Sequence, residues 1–192
     1  MHKVILKWQR LLAMNYKPRT LISTSNWAAY GDSHTWGIGN NEQDTWAYKL
    51  GAVNYGYPGV STDYVLRRVK ETVKDYEVAF FLWPDWTRFE IDGEQILPNT
   101  HPEHYRDRDE AWLRQNRENK IVEIEQLCEQ LGVLDVSLYQ DDLIHIIDHS
   151  DKWPIAESTR NNPKPHFNSQ WHTWIADLFR VKLSFRQYEQ TR

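Results

Sequence analysis

The chain predicts an α/β fold of three layers, with a mostly parallel sheet of about five strands covered by helices on both faces. Three observations carry this. Val78, Ala79, Phe80, Phe81, Leu82 and Trp83 form an unbroken apolar run, the pattern of a strand buried on both faces. Just before it, Val65, Leu66, Val69, Val73 and Tyr76 recur at the three- and four-residue spacing of an amphipathic helix. A long helical pattern over residues 110–131, followed by an apolar stretch at 133–138, repeats the alternation.

In chain order, Val4, Ile5, Leu6, Trp8, Leu11 and Leu12 are interrupted by Lys7 and Arg10. This predicts a short amphipathic helix, either packed on the domain or engaging a partner. A connector containing Pro18 completes an N-terminal extension over residues 1–24. The first strand is expected at 26–30 and runs into Gly31, Asp32 and Ser33. After a loop at 37–42, Asp44 is placed to cap a short helix through Trp46 and Leu50 that Gly51 ends. A second strand at 52–55 leads into the turn Gly56-Tyr57-Pro58-Gly59, and Ser61 or Thr62 caps the next helix.

Residues 84–109 read as a loop-rich excursion with a hairpin around Asp92-Gly93. In the long helix beyond it, Ile121, Ile124, Leu127, Cys128 and Leu131 mark the core face, and Gly132 is placed at the end. A short helix over 141–149, a loop over 150–165 and a closing helix over 168–181 complete a main domain of residues 25–185. Residues 186–192 are expected as a tail.

With 192 residues the chain is long enough for one domain with a sizeable core. A net charge of −4 gives no basic footprint, which argues against a nucleic-acid partner. Cys128 is the single cysteine, so no internal disulfide forms. No run reads as a secretory signal or reaches transmembrane length, so the expected location is the cytoplasm, with no membrane partner.

The chemistry concentrates in three segments that follow strands or open a helix. Gly31-Asp32-Ser33 presents a serine hydroxyl where a strand ends and a helix begins, beside free backbone N–H groups. Asn54-Tyr55-Gly56-Tyr57-Pro58-Gly59 follows the second strand, and His166 stands near the start of the closing helix. In parallel sheets, sites form beyond the carboxyl ends of the strands, so these segments are consistent with one site.

This order of motifs, over residues 27–178, resembles the SGNH, or GDSL-like, hydrolases. The resemblance implies the SGNH-hydrolase, flavodoxin-like version of the predicted architecture and a serine esterase with no cofactor and no metal. It implies Ser33 as nucleophile, His166 as general base, and the backbone N–H groups of Ser33 and Gly59 as oxyanion-hole donors. The implied substrate is a small-molecule or glycan ester, including an acetyl group on a carbohydrate. The reaction would pass through an acyl-serine intermediate.

Two motifs depart from the family pattern. Where the family has Gly-x-Asn-Asp, this chain reads Trp83-Pro84-Asp85-Trp86-Thr87-Arg88. Asp85 falls at the position of the oxyanion-hole asparagine, and a carboxylate there repels an oxyanion unless it is protonated or turned away. Thr87 or the Arg88 guanidinium is the substitute donor to consider. The position three before His166 is Pro163 rather than an aspartate. Asn161 and Asn162 are candidates to orient the imidazole, as are Asp148 and Asp151, and a Ser–His dyad is the simplest alternative. These departures keep open a binding or structural module that retains the fold without efficient catalysis. Acyl transfer to a sugar or other alcohol by the same residues is a third reading.

Asp32 and His34 flank the serine, His34 as pocket lining. His172 is expected to be structural on the closing helix. His145 and His149 are one helical turn apart beside Asp148, a spacing that could bind a metal, but they lack the His-Glu-x-x-His pattern and read as surface residues; His101 and His104 lack the cysteine or carboxylate spacing typical of zinc and read the same way. Trp36, Trp83, Trp86 and Trp153 fall near the expected site, either sealing the rim of the core or offering a stacking surface for a sugar ring or acyl group.

Overall fold

The computed structural model describes residues 26–141, 143 and 166–191. Four parallel strands form the main sheet: β1 (Trp27–Gly31), β2 (Val53–Asn54), β3 (Val78–Trp83) and β6 (Leu134–Tyr139), in the order β2-β1-β3-β6. The sheet thus has four strands among the described residues, where about five were expected. A separate antiparallel hairpin, β4 (Phe89–Ile91) with β5 (Glu94–Ile96), lies in the excursion after β3. Its turn residues, Asp92 and Gly93, both have positive φ, at 49° and 83°. That is the backbone a two-residue hairpin loop demands, as the Asp-Gly pair predicts.

Alternation along the central strands sorts side chains onto two faces. Trp27, Ala29, Phe80 and Leu82 face α2 (Trp46–Leu50) and α5 (Ser169–Gln190), and pack with Ile175 and Phe179. Ala28, Tyr30, Phe81 and Trp83 face α3 (Thr62–Thr72) and α4 (Glu110–Leu131), and pack with Val69, Ile124 and Cys128. Every residue of β3 is buried, the expected result for an apolar run enclosed on both sides.

Caps follow the sequence signals with two adjustments. Ser61 caps α3 through its side chain, Asp109 caps α4, and Gly132 ends α4 in the left-handed conformation. The cap of α2 is Thr45, whose hydroxyl accepts the Tyr48 N–H; Asp44 lies in a preceding 3-10 turn. Threonine at position 45 wins because its short hydroxyl already sits at the extended residue from which the helix starts. The closing helix runs on to Gln190, through residues expected as a tail, because Leu183 still finds the core. The expected segments at 1–24, most of 141–149, and 150–165 lie outside the described residues.

The strand order sets where a site can form. β1 is followed leftward by β2 and the chain then crosses to β3 on its other side, so the direction of winding reverses between β1 and β3. At such a switch point the loops leaving the two strands diverge and open a crevice. The loop after β1 carries Asp32 and Ser33; the loop after β3 carries Asp85 to Arg88.

Candidate active site

Ser33 opens a single-turn helix, α1 (Ser33–Trp36), immediately beyond β1. Asp32 is its cap: the Oδ1 atom accepts the His34 N–H at 3.0 Å, while its carbonyl accepts from Thr35 and Trp36 at 3.0 and 2.9 Å. Asp32 is completely buried and Ser33 is 6% exposed.

The Asn54–Gly59 turn is bonded to this serine turn. Asn54 Nδ2 donates to the Thr35 carbonyl at 2.9 Å, and Asn54 Oδ1 accepts the Gly56 N–H at 2.9 Å. The Tyr57 N–H donates to the Gly31 carbonyl at 3.2 Å. Gly56 packs so closely on α1 that a Cβ there would fall 2.5 Å from the Trp36 nitrogen. Gly59 is different: its φ is +77°, and a Cβ would meet nothing within 4 Å. One glycine is needed for close approach and the other for backbone conformation beside open space.

The loop after β3 contributes Arg88, whose Nη1 donates to Asp32 Oδ2 at 2.9 Å and to the Val60 carbonyl at 3.4 Å. Its guanidinium therefore stands between the turn that carries Ser33 and the turn that carries Gly59. Burial pushes the Asp32 carboxyl above its ordinary range, while the Arg88 charge and the His34 N–H act in the other direction.

Two further residues here are engaged locally or in the core. Thr87 donates both its backbone N–H and its hydroxyl to Asp85 Oδ1, each at 2.9 Å, so both donors are used within the loop. The same pair of bonds turns Asp85 Oδ1 back onto its own loop. Trp83 is wholly buried beneath the sheet in a stacked pair with Phe81, which removes it from any binding surface.

His166 arrives from the other end of the chain. Its ring centroid lies 5.0 Å from that of His34, and Phe167 packs on the His34 ring at 4.2 Å. The segment is held there by Asn40 Nδ2 donating to the Phe167 carbonyl at 2.7 Å, and by Ser169 Oγ donating to Asp44 at 3.0 Å. Neither bond is signalled by a local motif, since each joins loops far apart in sequence. Burial lowers the His166 pKa; Asp32 opposes that shift and Arg88 adds to it, so the imidazole is neutral near pH 7. Burial also pushes His34 down to about 3, and no described group bonds to its buried Nδ1.

Thus Asp32, Ser33, His34, Arg88, His166 and the Gly59 turn converge at the crevice. Asn162, Trp153, His145 and His149 lie outside the described residues. His101 and His104 sit on the 3-10 turn beyond the hairpin, with Glu94 3.6 Å from His101 Nε2. Trp86 packs on the hairpin's small core and stacks under the Arg114 guanidinium at 4.2 Å. Trp36 remains at the crevice, 51% exposed and edge-on to Tyr57 at 6.1 Å. Among the described residues, no three metal-ligating side chains come together, and no helix is long and apolar enough to cross a membrane.

No protein-family model matches the sequence, and no curated protein matches it. Solved structures do. One is a protein of Bacteroides fragilis provisionally named an acylhydrolase, at 18% identity and a TM-score of 0.42, over 67% of this chain and 53% of the other. Another is a GDSL-like lipase of Bacteroides thetaiotaomicron, at 14% identity and a TM-score of 0.41, over 68% of this chain and 56% of the other. The chain spans about half the length of these two structures. At such identities the likeness concerns the fold alone.

Proposed function

We propose that this chain is a serine hydrolase that cleaves carboxylic esters through an acyl-serine intermediate. The observation that supports this most is the meeting of His166 with the serine turn: its ring abuts His34, the residue next to Ser33, although the two segments stand at opposite ends of the domain. A serine hydroxyl is a weak nucleophile unless a base takes its proton, and a neutral imidazole is the base suited to neutral pH.

In this reading the Ser33 Oγ bonds to the ester carbonyl carbon as its proton passes to His166, and the carbonyl π pair moves onto oxygen. The N–H groups of Ser33 and Gly59 receive that oxyanion, and the open flank of Gly59 leaves room for it. Collapse of the intermediate breaks the bond to the leaving alcohol, which takes the proton from His166. Water, deprotonated by His166, then releases the acid and restores Ser33. Asp32 supports the protonated imidazole electrostatically.

For the alcohol part of the substrate, the exposed faces of Trp36 and Tyr57 favour a sugar ring. They flank the serine and Gly59 turns, and aromatic rings of this kind stack on the apolar faces of pyranoses.

The test is labelling of the purified protein by a fluorophosphonate, beside Ser33→Ala and His166→Ala variants. Labelling of the wild type that disappears in both is the expected result. A folded wild type that takes no label removes the hydrolase reading and leaves a binding module on this fold.

A further inference from the structure

We propose that Arg88 supplies the third oxyanion-hole donor of this site, through guanidinium N–H groups where a carboxamide is missing. The inference rests on the hydrolase reading above.

The first support is position. Nη1 binds both Asp32 Oδ2 and the Val60 carbonyl, so the guanidinium is fixed between the neighbour of Ser33 and the neighbour of Gly59, whose N–H groups are the other two donors. The second is spare capacity. Guanidinium carries five N–H donors, and no described group accepts from Arg88 Nε or Nη2. The third is elimination within the same loop, because the Thr87 donors and Asp85 Oδ1 are used on one another.

Burial completes the argument. The Arg88 side chain is 14% exposed and Asp32 is not exposed at all, so the cation is held by a partner rather than by solvent. A donor fixed in advance, in a site that excludes water, stabilises developing negative charge without reorganising during the reaction. In the resting state Asp32 balances the cation, so the arginine does not trap anions indiscriminately. As the carbonyl oxygen gains charge, the unused N–H groups gain an acceptor. Arginine differs from asparagine here in bringing full charge, which also lowers the pKa of the nearby His166 and keeps it in its base form.

The experiment measures kcat and KM for p-nitrophenyl acetate, and the second-order rate of fluorophosphonate labelling, in wild type, Arg88→Lys and Arg88→Ala. Removing one such donor lowers kcat by about 10²–10³, and Arg88→Ala should show that loss with KM changed by less than about threefold. Millimolar guanidinium chloride, against equal sodium chloride, should restore at least about tenfold of the lost rate in a saturable way, because a free guanidinium ion refills the vacated space. A merely structural role predicts rescue that tracks recovered thermal stability, whereas a donor role predicts rescue at a melting temperature that guanidinium leaves unchanged.

Arg88→Ala strands a buried carboxylate and is open to misfolding. Arg88→Lys keeps the ion pair but loses the planar fork, and should fall by at least about tenfold in kcat. Arg88→Lys at wild-type rates, or a folded Arg88→Ala within about threefold of wild type, overturns the proposal while leaving the hydrolase reading intact. A wild type that neither labels nor turns over overturns both.

Discussion

The Nδ1 atom of His172 accepts the backbone N–H of Trp46 at 3.2 Å, so a ring on α5 caps the start of α2. The bond requires a bare Nδ1, and burial pushes His172 down to about 3. His34 is pushed down to the same value. In the unfolded chain both titrate near their ordinary 6.5. Between about pH 6.5 and 3 the unfolded state therefore binds more protons, and stability must fall as pH falls through that window. Each histidine adds about 1.4 kcal/mol per pH unit to the slope. Urea melts from pH 7 to 4 should show the decline, and His172→Gln, which still offers an acceptor, should flatten it by one proton's worth. An unchanged slope in that variant would contradict the assignment.

His166 carries the same sign into activity. Burial and the Arg88 charge lower its pKa, so the base form persists to lower pH than free imidazole allows. The acid limb of kcat/KM should be centred below 6.5. A limb centred at or above that value points to a different base.

The two glycines of the second motif should fail in different ways. Gly56→Ala drives a Cβ into the Trp36 nitrogen and the Thr35 backbone, which cannot give way, and should cost the fold of the α1 region. Gly59→Ala meets no atoms but forces an alanine to a φ of +77°. It should lower stability by only about 1–2 kcal/mol while lowering kcat, because the methyl group enters the space kept for the oxyanion. Thermal melts beside activity assays separate the two.

Trp36→Ala and Tyr57→Ala should leave p-nitrophenyl acetate hydrolysis within about twofold, and lower kcat/KM for an acetylated xylo-oligosaccharide by about tenfold, roughly 1.4 kcal/mol. Equal losses on both substrates would mean the rings shape the serine turn and do not hold a sugar.

The sheet was readable because its signals are local. Six consecutive apolar residues define β3, and Asp109 and Gly132 bracket α4 with side-chain and backbone chemistry that needs no knowledge of neighbours. That the segments of Ser33, Gly59 and His166 meet at one crevice was legible from their places after strands and before a helix. The bond between Arg88 and Asp32 was not, because it joins two loops only after β1 and β3 have paired. Trp83 shows the complementary limit: the sequence leaves it between core and stacking surface, and only the helices covering its face of the sheet decide for the core.

β2 contributes only Val53 and Asn54 to the ladder with β1. A sheet margin this short offers an approaching strand too few backbone groups to hold, which guards that flank against aggregation. Asn54 is also the residue whose side chain moors the Gly56 turn to α1. One asparagine therefore both closes the sheet margin and fixes the turn beside it, so a change at position 54 disturbs the edge and the crevice together.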